Sequence, residues 1–317
     1  MGRLIDGHWK TTDELTENDQ NRSDDGFRER VSPDSRYPPE SGRYHLYIAR
    51  ACPWAHGATL VRKLLGLEDV ISMDIVDPDR GAGGWQFTPD KPGCTPDSIH
   101  DSDFLHEVYT AADREYTGGV TTPVLWDRED GTIVNNESIE IMQMLATAFA
   151  DHTDEYDLYP AGKRDRIDAV VEKLYEPILK GVYTAGFAQS QDTYERAVEA
   201  MFDALDYWED VLDNQRFLVG DSLTIADLRL FPALVRFDPV YYTHFKCNIR
   251  RLVDYPNLWG YTRDIYQHDG VSETVNLDHI KKHYYRSHTD INPTGFVPVG
   301  PNIDFTASHS RKRTVSK

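Results

Sequence analysis

Ala51-Cys52-Pro53-Trp54-Ala55-His56 restricts the possible fold more than any other stretch of the sequence. Tyr44-His45-Leu46-Tyr47-Ile48-Ala49 reads as a strand running into it. A helix is predicted to leave it, with Leu60, Val61, Leu64 and Leu65 forming an apolar stripe at helical spacing and Gly66 standing where the helix ends. Cys52 therefore lies at the mouth of a helix. Pro53 fits the first turn, because its missing N–H would have no partner there. Unpaired backbone N–H groups and the positive end of the helix dipole favour a negatively charged sulfur at such a position. In a Cys-X-X-Cys pair the second thiol resolves a mixed disulfide, and here Ala55 takes its place. A nucleophilic Cys52 thus requires a second, external thiol. The alternative is an inert cysteine packed as a small hydrophobe.

The length of 317 residues suits about two domains. No apolar run approaches the ~20 residues of a membrane span, and Met1-Gly2-Arg3-Leu4-Ile5-Asp6 lacks the apolar core of a secretory signal. Three widely spaced cysteines, Cys52, Cys94 and Cys247, form no disulfide framework and point to a reducing, cytoplasmic compartment. A formal charge of −19 makes nucleic acid and anionic membrane poor partners. Only 11 of the 34 basic residues are lysine. An acidic excess with scarce lysine suits a salt-loving (halophilic) cell, where molar salt screens carboxylates within about 3 Å. The other reading is an ordinary acidic protein.

Residues 1–42 are polar and end in Tyr37-Pro38-Pro39 and Ser41-Gly42, so they read as an extension lying on the surface. Residues 43–150 carry the order strand, helix, strand, long Gly/Pro-rich segment, short helix, β-hairpin, helix. The second strand, Val70–Val76, is expected to lie parallel to the first. With a cysteine after the first strand, this is the order of a thioredoxin-like α/β thiol-binding domain. Tyr159-Pro160-Ala161-Gly162 reads as a linker. Residues 160–290 read as an all-α domain: Tyr194, Ala197, Val198, Met201, Phe202, Leu205, Trp208 and Leu212 share one face, and Thr224 with Asp227 begins another helix. Residues 291–317 form a tail ending near Arg311-Lys312-Arg313.

This organisation, with Ser222-Leu223-Thr224-Ile225-Ala226-Asp227-Leu228 in the second domain, resembles the glutathione transferase fold. Within that superfamily the chain resembles the S-glutathionyl-hydroquinone reductases (omega-like, xi class). The shared stretches include Cys52-Pro53-Trp54-Ala55-His56, Gly84-Trp85-Gln86-Phe87, Pro123-Val124-Leu125-Trp126-Asp127, Asn135-Asn136-Glu137-Ser138 and His279-Ile280-Lys281-Lys282-His283-Tyr284-Tyr285-Arg286. Two positions depart from the family pattern: Gly57 replaces an arginine, and Thr122 replaces a valine.

The resemblance implies the site. Cys52 is the catalytic thiol. Pro123 follows a cis bond, leaving the backbone of Thr122 to pair with the cysteinyl part of a thiol peptide. Glu137 and Ser138 suit the ammonium and carboxylate of a γ-glutamyl head, and helix capping is compatible with that role. Trp85 covers the bound thiol or merely staples its loop. Tyr183 and Tyr285 are expected beside the leaving group as catalytic phenols, with Tyr284 binding substrate; core packing is the competing explanation. His279 and His283 lie four apart without an acidic partner motif, so no metal is expected.

The implied activity is reduction of S-glutathionyl-hydroquinones through a Cys52 mixed disulfide, with glutathione or γ-glutamylcysteine as thiol co-substrate and a homodimer as the assembly. The rival readings are an omega-like thiol transferase or dehydroascorbate reductase, and a non-catalytic scaffold.

Overall fold

The computed structural model describes residues 2–24, 26–150 and 156–311. The chain divides into two units, Met1–Glu155 and Tyr156–Lys317.

Most described residues of the N-terminal stretch are exposed or half-buried, and a few side chains anchor it to the first unit. Arg3–Ile5 (β1) and His8–Lys10 (β2) form an antiparallel ribbon. Asp6 and Gly7 turn it, both with positive φ (48° and 75°), as a type I′ turn requires. Leu4 exchanges backbone hydrogen bonds with Gly118 and is buried, as are Ile5, Val31 and Tyr37. A single turn of helix follows, α1 (Glu17–Gln20). The segment around Arg28 then runs antiparallel to Asn135: Glu29 N–H donates to Val134 and Asn136 N–H to Phe27.

The sheet has the order β4-β3-β5-β6. Tyr44–Ile48 (β3) is central and buried at every residue. It pairs in parallel with Ser72–Ile75 (β4) and antiparallel with Val124–Asp127 (β5), which turns through Gly131 into Thr132–Asn135 (β6). Pro53–Leu64 (α2) crosses between the parallel strands and buries Leu60, Val61 and Leu64. The Arg62 guanidinium, itself buried, donates to Ile71 O at 2.6 Å and ties the end of α2 to the approach to β4. Leu105–Ala112 (α3) and Ser138–Ala148 (α4) complete the thioredoxin-like unit. The long segment after β4 is fixed by two buried carboxylates. Asp77 accepts from Asp79 N–H, the Thr88 hydroxyl and Lys91, and Asp97 accepts from Ile99, His100, Ser102 and the Tyr47 hydroxyl.

The second unit is helical: α5 (Arg164–Leu174), α6 (Gly181–Gly186), α7 (Gln191–Asn214), α8 (Ile225–Arg236), α9 (Pro256–Tyr266), α10 (Val271–Thr274) and α11 (Leu277–Ser287). π-helical segments extend α5 (Tyr175–Lys180) and α8 (Phe237–Tyr241). α7 buries the expected stripe, Val198, Met201, Phe202, Leu205, Trp208 and Leu212. Asp227 is fully buried in the first turn of α8. It accepts hydrogen bonds from Leu218 N–H, Thr224 N–H and hydroxyl, and the Tyr261 hydroxyl. The tail packs onto this unit: Phe305 is buried against Trp259 and Tyr266, and the Arg311 guanidinium donates to the carbonyls of Leu212, Gln215 and Arg216. Lys312 and Arg313 lie outside the described residues.

Candidate active site

Cys52 is the N-cap of α2, in extended conformation (φ −74°, ψ 122°), with Pro53 in the first turn. Its N–H donates to Ala49 O, and its carbonyl accepts from His56 N–H, which starts the helical ladder. The half-buried thiol donates to Thr122 O at 3.4 Å. Ala55 is buried, so α2 offers no second sulfur. The other cysteines have different surroundings. Cys94 is half-buried with its thiol 3.9 Å from Val76 O, and burial raises its pKa. Cys247 is buried in the helical unit, and burial pushes its pKa up to about 12.

The Thr122–Pro123 bond is cis and leads into β5. The Cys52–Thr122 contact brings two of the expected thiol-binding elements together. Trp85 is buried in the apolar cluster against which Cys52 packs. Its carbonyl accepts from Leu105 N–H at the start of α3, and the Arg80 guanidinium lies 5.2 Å from its ring centre. Gly57 is buried within α2, so the arginine of the family pattern has no exposed counterpart here.

Glu137 is the N-cap of α4, and its carboxylate accepts from Ile139 N–H and from the Ser138 hydroxyl, both at 3.4 Å. Glu137 thus caps α4 and is tied to the Ser138 hydroxyl. A second tier holds them. Asn135 Oδ1 accepts Glu137 N–H at 2.7 Å, and its amide nitrogen donates to Glu29 O and to Glu140. Arg28 grips Glu140 through two hydrogen bonds of 2.9 and 2.6 Å and keeps that carboxyl below its usual pKa. Arg28 was not singled out in the sequence, because its partner Glu140 lies 112 residues away.

In the helical unit the hydroxyls of Tyr183, Tyr284 and Tyr241 cluster. Tyr183 meets Tyr284, hydroxyl to hydroxyl at 2.6 Å, and Tyr284 also reaches Tyr241 at 3.3 Å. Tyr285 instead donates to Pro239 O at 3.1 Å and is buried, with its pKa raised to about 12 by that burial. Tyr284 and Tyr285, adjacent on α11, thus bond different partners. Neighbouring residues on a helix point about 100° apart, as 3.6 residues per turn dictates, so one of the two must face elsewhere. Tyr241, fully buried, was missed; no local pattern marks it. Among the described residues no group of three or more His, Cys, Asp or Glu is placed to hold a metal ion.

Residues 51–148 match the family described as Glutathione S-transferase, N-terminal domain, and residues 191–264 match Glutathione S-transferase, C-terminal domain. The glutathionyl-hydroquinone reductase YqjG of Escherichia coli (strain K12) is 46% identical, with 98% of each chain covered. A xi class glutathione transferase from Natrialba magadii superposes with a TM-score of 0.94 at 51% identity, covering 98% of this chain and 96% of its own. The glutathione-bound structure of YqjG gives a TM-score of 0.91 at 44% identity, covering 98% and 99% respectively. With this agreement along the whole length, the chain belongs to the glutathione transferase superfamily, in its xi-class group of glutathionyl-hydroquinone reductases.

Proposed function

We propose that the protein is a glutathionyl-hydroquinone reductase working by a two-step thiol exchange on Cys52. The Cys52 thiolate attacks the sulfur of an S-glutathionyl-hydroquinone. The bond from sulfur to the ring breaks, the electron pair leaves with the ring carbon, and a proton joins that carbon to give the hydroquinone. Cys52 and the thiol peptide are left joined as a mixed disulfide. A second thiolate then attacks the peptide sulfur, releasing a disulfide and Cys52. Two sulfurs are oxidised and one ring carbon is reduced, so the electrons balance. The kinetics are ping-pong. The observation that carries this reading is the half-buried thiol at a helix mouth, 3.4 Å from Thr122 O, with no second sulfur in α2.

In this reading Thr122 and Pro123 present backbone groups to the cysteinyl part of the thiol. Glu137 and Ser138 take the γ-glutamyl head, and Trp85 walls the site. Tyr183 and Tyr285 donate to the departing hydroquinone, and Tyr284 binds the substrate beside them. What supports these roles is the family resemblance, and the Tyr183 and Tyr284 hydroxyls share a hydrogen bond. The protein works as a cytoplasmic homodimer in a salt-loving cell, with no nucleic-acid partner; the charge of −19 and the scarcity of lysine support the last two points. No helix among the described residues is long and apolar enough to cross a membrane.

None of the proposed thiol contacts lies on the glycine of glutathione, and Gly57 stands where the family has arginine. γ-Glutamylcysteine therefore serves at least as well as glutathione. Steady-state assays in molar salt, with each thiol at equal thiolate concentration, test the reading. Cys52→Ser is expected to abolish turnover, and Cys94→Ser and Cys247→Ser to retain most of it. Full activity in Cys52→Ser would overturn the mechanism. A tenfold preference for glutathione, about 1.4 kcal/mol, would overturn the choice of thiol.

A further inference from the structure

We propose that Tyr109 is a positioning residue that fixes the spacing between the cysteinyl and γ-glutamyl halves of the thiol site. The inference rests on the reading of Thr122, Glu137 and Ser138 as that site. Tyr109 sits on α3 and is fully buried. Its hydroxyl donates to Thr121 O at 3.0 Å and accepts Thr121 N–H at 3.3 Å. It also accepts from the Asn136 side-chain amide at 3.3 Å. The Thr121 hydroxyl also lies 3.3 Å away, so a phenol with one proton and two lone pairs has more partners in reach than it can bond at once. One oxygen thus holds both backbone polar groups of the residue before Thr122 and the side chain of the residue before Glu137.

The surroundings hold that oxygen in place. The Tyr109 ring packs against Tyr116 and meets Phe27 edge-on, and Phe27 O accepts Asn136 N–H. Asn136 is therefore held through its backbone by the N-terminal segment and through its side chain by Tyr109. A γ-glutamyl thiol contacts both halves at a separation fixed by its own covalent chain. Preorganised spacing favours such a two-point ligand. A reagent that touches only the sulfur gains nothing from it.

Tyr109→Phe removes the hydroxyl and keeps the ring. We expect it to weaken binding of S-methylglutathione about tenfold by calorimetry. Alkylation of Cys52 by iodoacetamide, followed by mass spectrometry, is expected to stay within about twofold. Asn136→Ala cuts one arm only and is expected to weaken S-methylglutathione about threefold; it carries the test if the tyrosine variant does not fold. Unchanged binding in both variants, or equal losses of binding and alkylation, would overturn the proposal. If the unaltered protein neither binds S-methylglutathione nor turns over glutathionylated hydroquinones, the functional reading itself falls and this inference falls with it. If it does both and the variants bind normally, only the role of Tyr109 falls.

Discussion

Thr122 has a buried hydroxyl with no hydrogen-bond partner among the described residues, while its carbonyl receives the Cys52 thiol. An unpaired buried hydroxyl costs roughly 1–3 kcal/mol. Valine has nearly the same shape and no such group. Thr122→Val is therefore expected to raise stability by about 1 kcal/mol, read as an increase in the urea midpoint at constant slope. A decrease would mean that the hydroxyl finds a partner in solution. The departure from the family valine was legible in the sequence, but the isolation of the hydroxyl was not, since it depends on what surrounds the site. Cys52 was legible because its setting is local: a strand, a proline and an apolar stripe within twenty residues. Tyr109 was not, because its partners at Thr121 and Asn136 belong to elements whose meeting no spacing announces.

The helix α8 depends on one side chain. Asp227 accepts four hydrogen bonds in a fully buried position, two of them from the residue that caps the helix. Asp227→Ala leaves these donors without an acceptor, and each stranded donor costs on the order of 1 kcal/mol or more. A loss of about 3 kcal/mol or more is expected, measured as a fall in the denaturant midpoint. A loss below about 1 kcal/mol would mean that water replaces the carboxylate. Thr224 and Asp227 were readable as a helix start from their spacing, whereas the reach of Asp227 to Leu218 and Tyr261 was not. The stripe of α7 was readable because 24 residues repeat the helical period many times. The three-residue strands β1 and β2 repeat nothing, and only Asp6-Gly7 marked their turn. On α11 the spacing did not announce that Tyr284 bonds Tyr183 while Tyr285 bonds Pro239 O, because adjacent side chains differ only in direction.

The molecule as a whole carries a formal charge of −19. Screening acts within about 10 Å at 0.1 M salt and about 3 Å at 1 M. Repulsion between carboxylates therefore opposes folding most strongly in dilute buffer. Circular dichroism over a salt series is expected to show structure and melting temperature rising with salt, and a flat response from millimolar to molar would refute this. The N-terminal ribbon adds a constraint of a different kind, set by time. Leu4 pairs with Gly118, and the segment at Arg28 pairs with Asn135. These early residues leave the ribosome long before their partners exist. At about 5–20 residues per second, the first strand waits on the order of 6–24 s before Gly118 is made. Whatever shields Leu4 and Ile5 from other chains during that interval is therefore part of how this protein reaches its fold.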